Sequence, residues 1–218
     1  MALLGAAVRR LAFARTRLPR EVRELLAVLA TTVLHLTFIA GGWPRGWLVI
    51  PLVAAWGAYV LVTARREPEA LDAWGLRRRG LVPASLATLA FALPAGLTMI
   101  AFGIATGAPF PPTMLVALVL YPVWGFVQQL LLQGMVAGPL ARRVGVLGAS
   151  SIATALFAAV HASDPAVMGA TLLLGTALVP IFLRWGNLWP LALAHGWLGT
   201  LLYYAVLHRD PVAGYLGP

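Results

Sequence analysis

Three amides and two imidazoles are the side chains of this sequence whose types and spacing could do chemistry. Gln128, Gln129 and Gln133 fall in the stretch Gln128-Gln129-Leu130-Leu131-Leu132-Gln133-Gly134. That stretch lies inside an apolar run from about Thr113 to Ala137, long enough to cross a bilayer. His161 and His195 stand in two further apolar runs, His195 about eight residues in, or roughly 12 Å along a helix. A polar group at membrane depth is costly unless it faces a cavity or another polar group. One glutamine alone reads as hydrogen-bonding glue between helices, but three within six residues point to a polar cavity. In an α-helix Gln129 and Gln133, at i and i+4, share a face, with Gln128 about 100° round. Gly134 beside them would let a neighbouring helix approach closely. An amide donates and accepts hydrogen bonds but takes up no proton, whereas a neutral imidazole can accept one. Asp164, three residues past His161, either orients that ring or caps a helix starting at Pro165, and the cap is the stronger reading.

The scaffold that would position these groups is a membrane scaffold. Of 218 residues, 61% are hydrophobic and 11% charged, with a mean hydropathy of +0.86. A soluble domain carries about 25% charged residues, so the expectation is an all-α polytopic membrane protein forming a single membrane domain over residues 1–218. Seven apolar runs of spanning length are expected: 24–40, 46–64, 81–106, 113–137, 145–163, 166–183 and 188–207. They lack the period-two alternation of a membrane barrel. The net charge of +9 comes entirely from arginine. Fourteen arginines fall in the N-terminal segment and in the loops on its side of the membrane. Only Arg45 and Arg209 fall on the other. This split predicts a cytoplasmic N-terminus and an outer C-terminus, and the arginines mark topology rather than a nucleic-acid partner. Six arginines spread through residues 1–23 read either as an amphipathic helix on anionic lipid or as a flexible basic tail. All-Arg usage suggests a GC-rich bacterial genome, hence an inner (plasma) membrane setting. With no cysteine there is no thiolate chemistry, and two histidines with amides make a poor zinc set. No metal or other cofactor is expected.

The three polar segments together resemble the CPBP family of intramembrane proteases, also called the Abi or CAAX-protease family. Its signature is Glu-Glu-x-x-x-Arg, then Phe-x-x-x-His, then His-x-x-x-Asn or Asp. Here those places hold Gln128-Gln129 with Gln133, Phe157 with His161, and His195 with Gly199. Asn187-Leu188-Trp189 before the last motif and Trp74-Gly75-Leu76-Arg77 further upstream resemble stretches common in the family. The resemblance spans residues 72–207 and implies an endopeptidase cutting near a membrane anchor. It implies that the first Glu activates water, the histidines hold the substrate carbonyl and its oxyanion, the Arg orients the Glu pair, and the Asn or Asp assists at the oxyanion.

This chain departs from the pattern at four places: Gln128, Gln129, Gln133 and Gly199. Loss of a general base costs typically about 10²–10⁴ in rate. Of the seven acidic residues, only Asp164 lies near a motif in sequence. Three explanations compete: a natural pseudoprotease that binds a peptide or lipid, different chemistry run through the two histidines, or glutamines engineered to trap a substrate. Change at four positions together favours a naturally diverged member, with membrane lipids and a membrane-anchored peptide or protein as partners. A small transporter or lipid- or peptide-binding scaffold with a neutral polar pocket is the alternative. One geometric demand follows. On straight helices with the boundaries above, Gln129 and His161 lie at different depths, so a kink, a tilt or a shifted boundary must bring them level.

Overall fold

A computed structural model describes residues 18–43 and 45–213. Of the basic segment expected over residues 1–23, residues 1–17 lie outside them, and Arg20 and Arg23 fall in the first helix instead. The chain is helical throughout, with no strand among the described residues. In order it forms α1 (Arg20–Ala40), α2 (Arg45–Arg66), a single turn α3 (Ala70–Ala73), α4 (Leu81–Ala105) and α5 (Thr113–Gln129). A π-helical segment (Leu130–Ala137) follows, then α6 (Gly138–Ala159), α7 (Pro165–Trp185), α8 (Trp189–Leu201) and a second π-helical segment (Leu202–Val206). It is an all-α membrane protein. Of the seven expected spans, length and composition single out four stretches: α1, α4, the 47 residues Thr113–Ala159, and α7. Large apolar side chains such as Val119, Leu147 and Ile104 point outward, as a lipid-facing surface requires.

The demand for equal depth is met by a shifted boundary. Helical winding does not stop near Ala137 but runs on to Val144. Gly145, at φ 75° and ψ 170°, then interrupts it. That backbone region belongs to glycine. The chain turns back there, so Gln128 lies seventeen residues before the pivot and His161 sixteen after it. The two arms are nearly equal in length, and Gln128 and His161 line the same cavity.

The wider winding of Leu130–Ala137 is the second departure from regular α-helix. Its signature is the Gly138 N–H bonding back five residues to the Gln133 carbonyl. Such insertions are rare and concentrate at functional sites. The segment is almost wholly buried, with Gln133, Met135, Val136 and Ala137 out of contact with solvent. The i, i+4 geometry expected of Gln129 and Gln133 therefore becomes a π-helical one. Gly134 does admit a close neighbour, but it is the Trp74 backbone rather than a helix: a Cβ at Gly134 would stand 3.2 Å from Trp74 Cα.

Lipid tails are as apolar as leucine, so membrane helices associate through close packing of small residues. The tightest crossing here joins α5 to α8. A Cβ on Gly196 would stand 2.4 Å from the Pro122 backbone, and one on Gly125 would stand 2.8 Å from the Ala192 carbonyl oxygen. These two glycines bring α5 and α8 into backbone contact one turn from Gln129 and beside His195. Helix α7 is bounded as its sequence implies. Asp164 caps its start by accepting from the Val167 N–H at 3.3 Å, with Pro165 in the first turn. Gly186 ends it at φ 61°, the left-handed cap that glycine favours.

Candidate functional site

A cavity of about 560 Å³ lies between α4, α5, α7 and α8, within the size range of small-molecule sites. Most of its wall is apolar, supplied by residues such as Phe91, Met99, Leu174 and Leu198. Its polar groups gather at Gln128, His161 and His195, and Tyr121, Gly199 and Tyr203 also reach it. No acidic side chain lines the cavity among the described residues.

The three glutamines take different places. Gln128 alone lines the cavity. Gln129 is fully buried behind it, and its amide nitrogen lies 2.8 Å from His195 Nδ1. The close α5–α8 crossing is what makes that reach possible. Gln133 is also fully buried, and neither of its amide atoms finds a hydrogen-bond partner among the described residues. The same is true of Gln129 Oε1. In a protein interior such orphans cost about 1–3 kcal/mol each.

Phe157 stands between the two histidines. Its ring centroid is 5.6 Å from that of His161 and 5.2 Å from that of His195, edge to face in both cases. His161 lies just past the end of α6, and its Nδ1 is 3.0 Å from the Phe157 carbonyl oxygen. A carbonyl only accepts, so the His161 proton sits on Nδ1. Gly199 faces Tyr121, whose ring would stand 3.4 Å from an added Cβ. That is ordinary van der Waals contact, so a larger side chain could stand at this position beside the cavity.

Asn187 lies elsewhere. It is buried at the α7–α8 turn and donates to the carbonyls of Arg77 at 2.8 Å and Arg79 at 3.0 Å. The Leu188 N–H reaches the Gly75 carbonyl at 2.9 Å, and the Trp189 indole donates to the Leu76 carbonyl at 3.0 Å. This residue pins the loop 74–80 to the start of α8 and supplies no group to the cavity. No grouping of three metal-binding side chains occurs among the described residues.

The match to known proteins falls on this half of the chain. Residues 109–201 match the Rce1-like family, type II CAAX prenyl endopeptidases. The Rce1-like segment runs from just before α5 to the end of α8 and contains Gln128, Gln129, Gln133, Phe157, His161, Asn187, His195 and Gly199. It is consistent with the CPBP resemblance of the three motifs and supports an intramembrane endopeptidase type of family. No curated protein and no solved structure matches the chain. Helices α1 to α4 lie outside the Rce1-like segment, yet α4 supplies part of the cavity wall.

Two features escaped sequence reasoning. The first is the pair Gly125 and Gly196, whose only signal was small residues near the motifs. The second is Glu24. The sequence left Asp164 as the one acid near a motif, but Glu24 is buried against the motif region. Its Oε1 accepts from Tyr59 at 2.7 Å and its Oε2 from the Trp74 indole at 3.4 Å, and Trp74 backs Gly134. Asp164 itself turns to the Arg209 guanidinium and the Val167 N–H. Burial alone would raise its pKa, but these two partners hold it below the usual carboxylate range.

Proposed function

We propose that this protein is a diverged, non-hydrolysing relative of the intramembrane endopeptidases, a pseudoprotease that holds a membrane-anchored peptide by its backbone carbonyl. The observation that carries the reading is the cavity's polar end. Gln128, which aligns with the family's water-activating Glu, lines the cavity, and no acid lines it among the described residues. An amide has nearly the shape of a carboxylic acid but cannot accept water's proton. The surviving groups, amide and imidazole, suit binding of a carbonyl, and the apolar wall suits the anchor beside it.

The arginine split supports an inner-membrane setting with the N-terminus cytoplasmic and the C-terminus outside. The test is a peptidase assay on the purified protein in lipid, with a membrane-anchored peptide and the His195→Ala variant as control. The expected result is no cleavage above background in either, with binding of the peptide weakened in the variant. Robust cleavage by the wild type that His195→Ala abolishes would overturn the reading.

A further inference from the structure

The buried bond between Gln129 and His195 decides which edge of the imidazole the cavity meets. Gln129 is shut away from the cavity and touches no ligand site directly. Its only polar partner among the hydrogen bonds described is His195 Nδ1, at 2.8 Å. Two arrangements of protons satisfy that contact. In one, the Gln129 amide donates to a bare Nδ1, and His195 carries its proton on Nε2. In the other, the amide is turned over, Nδ1–H donates to the amide oxygen, and Nε2 is bare.

The surroundings separate these two. Gln129 finds no second partner among the described residues. With the amide nitrogen on Nδ1, the groups left unmatched are one N–H and the carbonyl oxygen. With the amide turned over, both N–H groups are buried and unmatched. Orphaned buried N–H groups are rarer than under-satisfied carbonyl oxygens, so the first arrangement is favoured.

We propose that Gln129 is a positioning residue that locks His195 in the tautomer with its proton on Nε2, so that the ring offers the cavity a hydrogen-bond donor and not a proton acceptor. The two histidines then differ. His161 has its proton on Nδ1, held by the Phe157 carbonyl, and His195 has its proton on Nε2. A donor from His195 beside the Gln128 amide selects a ligand whose head is an uncharged acceptor, such as an amide or ester carbonyl, on an apolar body. An ionised carboxylate at position 129 would do the reverse. It would draw the proton to Nδ1 and leave Nε2 bare. The glutamine thus removes a charge and also turns His195 from acceptor to donor.

This inference rests on the reading of the cavity as a carbonyl-binding site. Its test uses the resting full-length protein without substrate, so its outcome stands apart from the peptidase assay. Nitrogen-15 spectra of ring-labelled histidine, recorded on the protein in lipid nanodiscs, distinguish protonated from bare ring nitrogens. The His195 signals are assigned by their loss in His195→Ala. The expected result is a bare Nδ1 and a protonated Nε2 for His195, with the opposite pattern for His161 as an internal reference. In Gln129→Leu the lock is gone, and the His195 signals should collapse to an average of the two tautomers while those of His161 stay put. A wild-type His195 protonated on Nδ1 or already averaged, or a His195 pattern unchanged in Gln129→Leu, would overturn the proposal. The wild-type spectrum decides by itself if the variant does not fold.

Discussion

Two buried polar clusters lie in this helical bundle, and they are built on opposite rules. The first joins α1, α2 and the Trp74 turn, and it is charged. Both Glu24 oxygens are occupied, by Tyr59 and Trp74. Arg20 approaches the same carboxylate at 3.5 Å and bonds Glu67 at 3.0 Å, with its guanidinium 5.8 Å from the Trp74 ring. The second joins α5, the π-helical segment, α6 and α8, and it is neutral. There Gln133 and one atom of Gln129 go unmatched among the described residues, and Gln128, His161 and His195 line the cavity. A buried charge must be surrounded by partners or it unfolds its surroundings. A neutral amide can be left partly unmatched at a smaller cost. The first cluster ties α1 to α2 and to the Trp74 turn, with only Arg20 Nε left without a hydrogen bond among the described residues. The second leaves the Gln133 amide and Gln129 Oε1 unmatched close behind a cavity, which is where function is expected.

The comparison is broken most forcefully at Glu24. Glu24→Leu takes the acceptor from the Tyr59 hydroxyl and the buried Trp74 indole, while Arg20 keeps Glu67, and should cost about 2–5 kcal/mol in all, read by denaturant or thermal unfolding in mild detergent. A loss of under about 1 kcal/mol, the scale of an exposed ion pair, would mean that the charged cluster is not structural. Gly196→Ala comes next. The added methyl meets the Pro122 backbone at 2.4 Å, so α5 and α8 must part, at about 1–3 kcal/mol. The same separation should release the His195 tautomer, since Gln129 reaches the ring only across that crossing.

The neutral cluster should behave in the opposite sense. Gln133→Leu removes two unmatched buried atoms, so stability should hold or rise by about 1 kcal/mol. A fall of 2 kcal/mol would show that Gln133 bonds something in the folded protein. The smallest effect belongs to neither cluster. The Asp210 carboxylate ties the C-terminal strap to Thr113 at 2.5 Å and Tyr204 at 2.7 Å. The Thr113 bond, with that from Tyr204, pulls its pKa down to about 2 against a modest opposing effect of burial. A depressed folded value means the stabilisation is complete above the unfolded pKa. It is lost as pH falls from about 4 towards about 2. Hydrogen exchange at Val212 and Ala213, whose amides bond Asp210 at 2.9 Å, should rise over that window beyond the ordinary pH trend. Asp210→Asn should largely remove the dependence.

The membrane class was legible because hydropathy along the chain needs no tertiary information. The start of α7 was legible because Asp164-Pro165 is a local signal. Motif spacing picked out Gln128, His161 and His195, and all three line the same cavity. What stayed hidden depends on long-range contact. Nothing in Leu130–Ala137 distinguishes a π-helical run from an α-helical one, because both are apolar and continuous. Gly145 looks like any glycine until the equal arms on either side of it are seen. Glu24 read as the edge of an apolar run, since its partners Tyr59 and Trp74 lie 35 and 50 residues away. Asn187, placed with the site by resemblance, turned out to serve the loop 74–80, because its amide meets carbonyls more than a hundred residues distant.

The central claim is that the cavity still holds a peptide carbonyl but lacks the carboxylate that would activate water. The most direct test measures peptide hydrolysis by wild type and by the triple variant Gln128→Glu, Gln129→Glu, Gln133→Arg, side by side in lipid with a membrane-anchored substrate. The expected result is background cleavage by the wild type and cleavage above background by the triple variant, lost again when His195→Ala is added. A wild type that cleaves as fast as the variant, or a folded variant no faster than background, would contradict it.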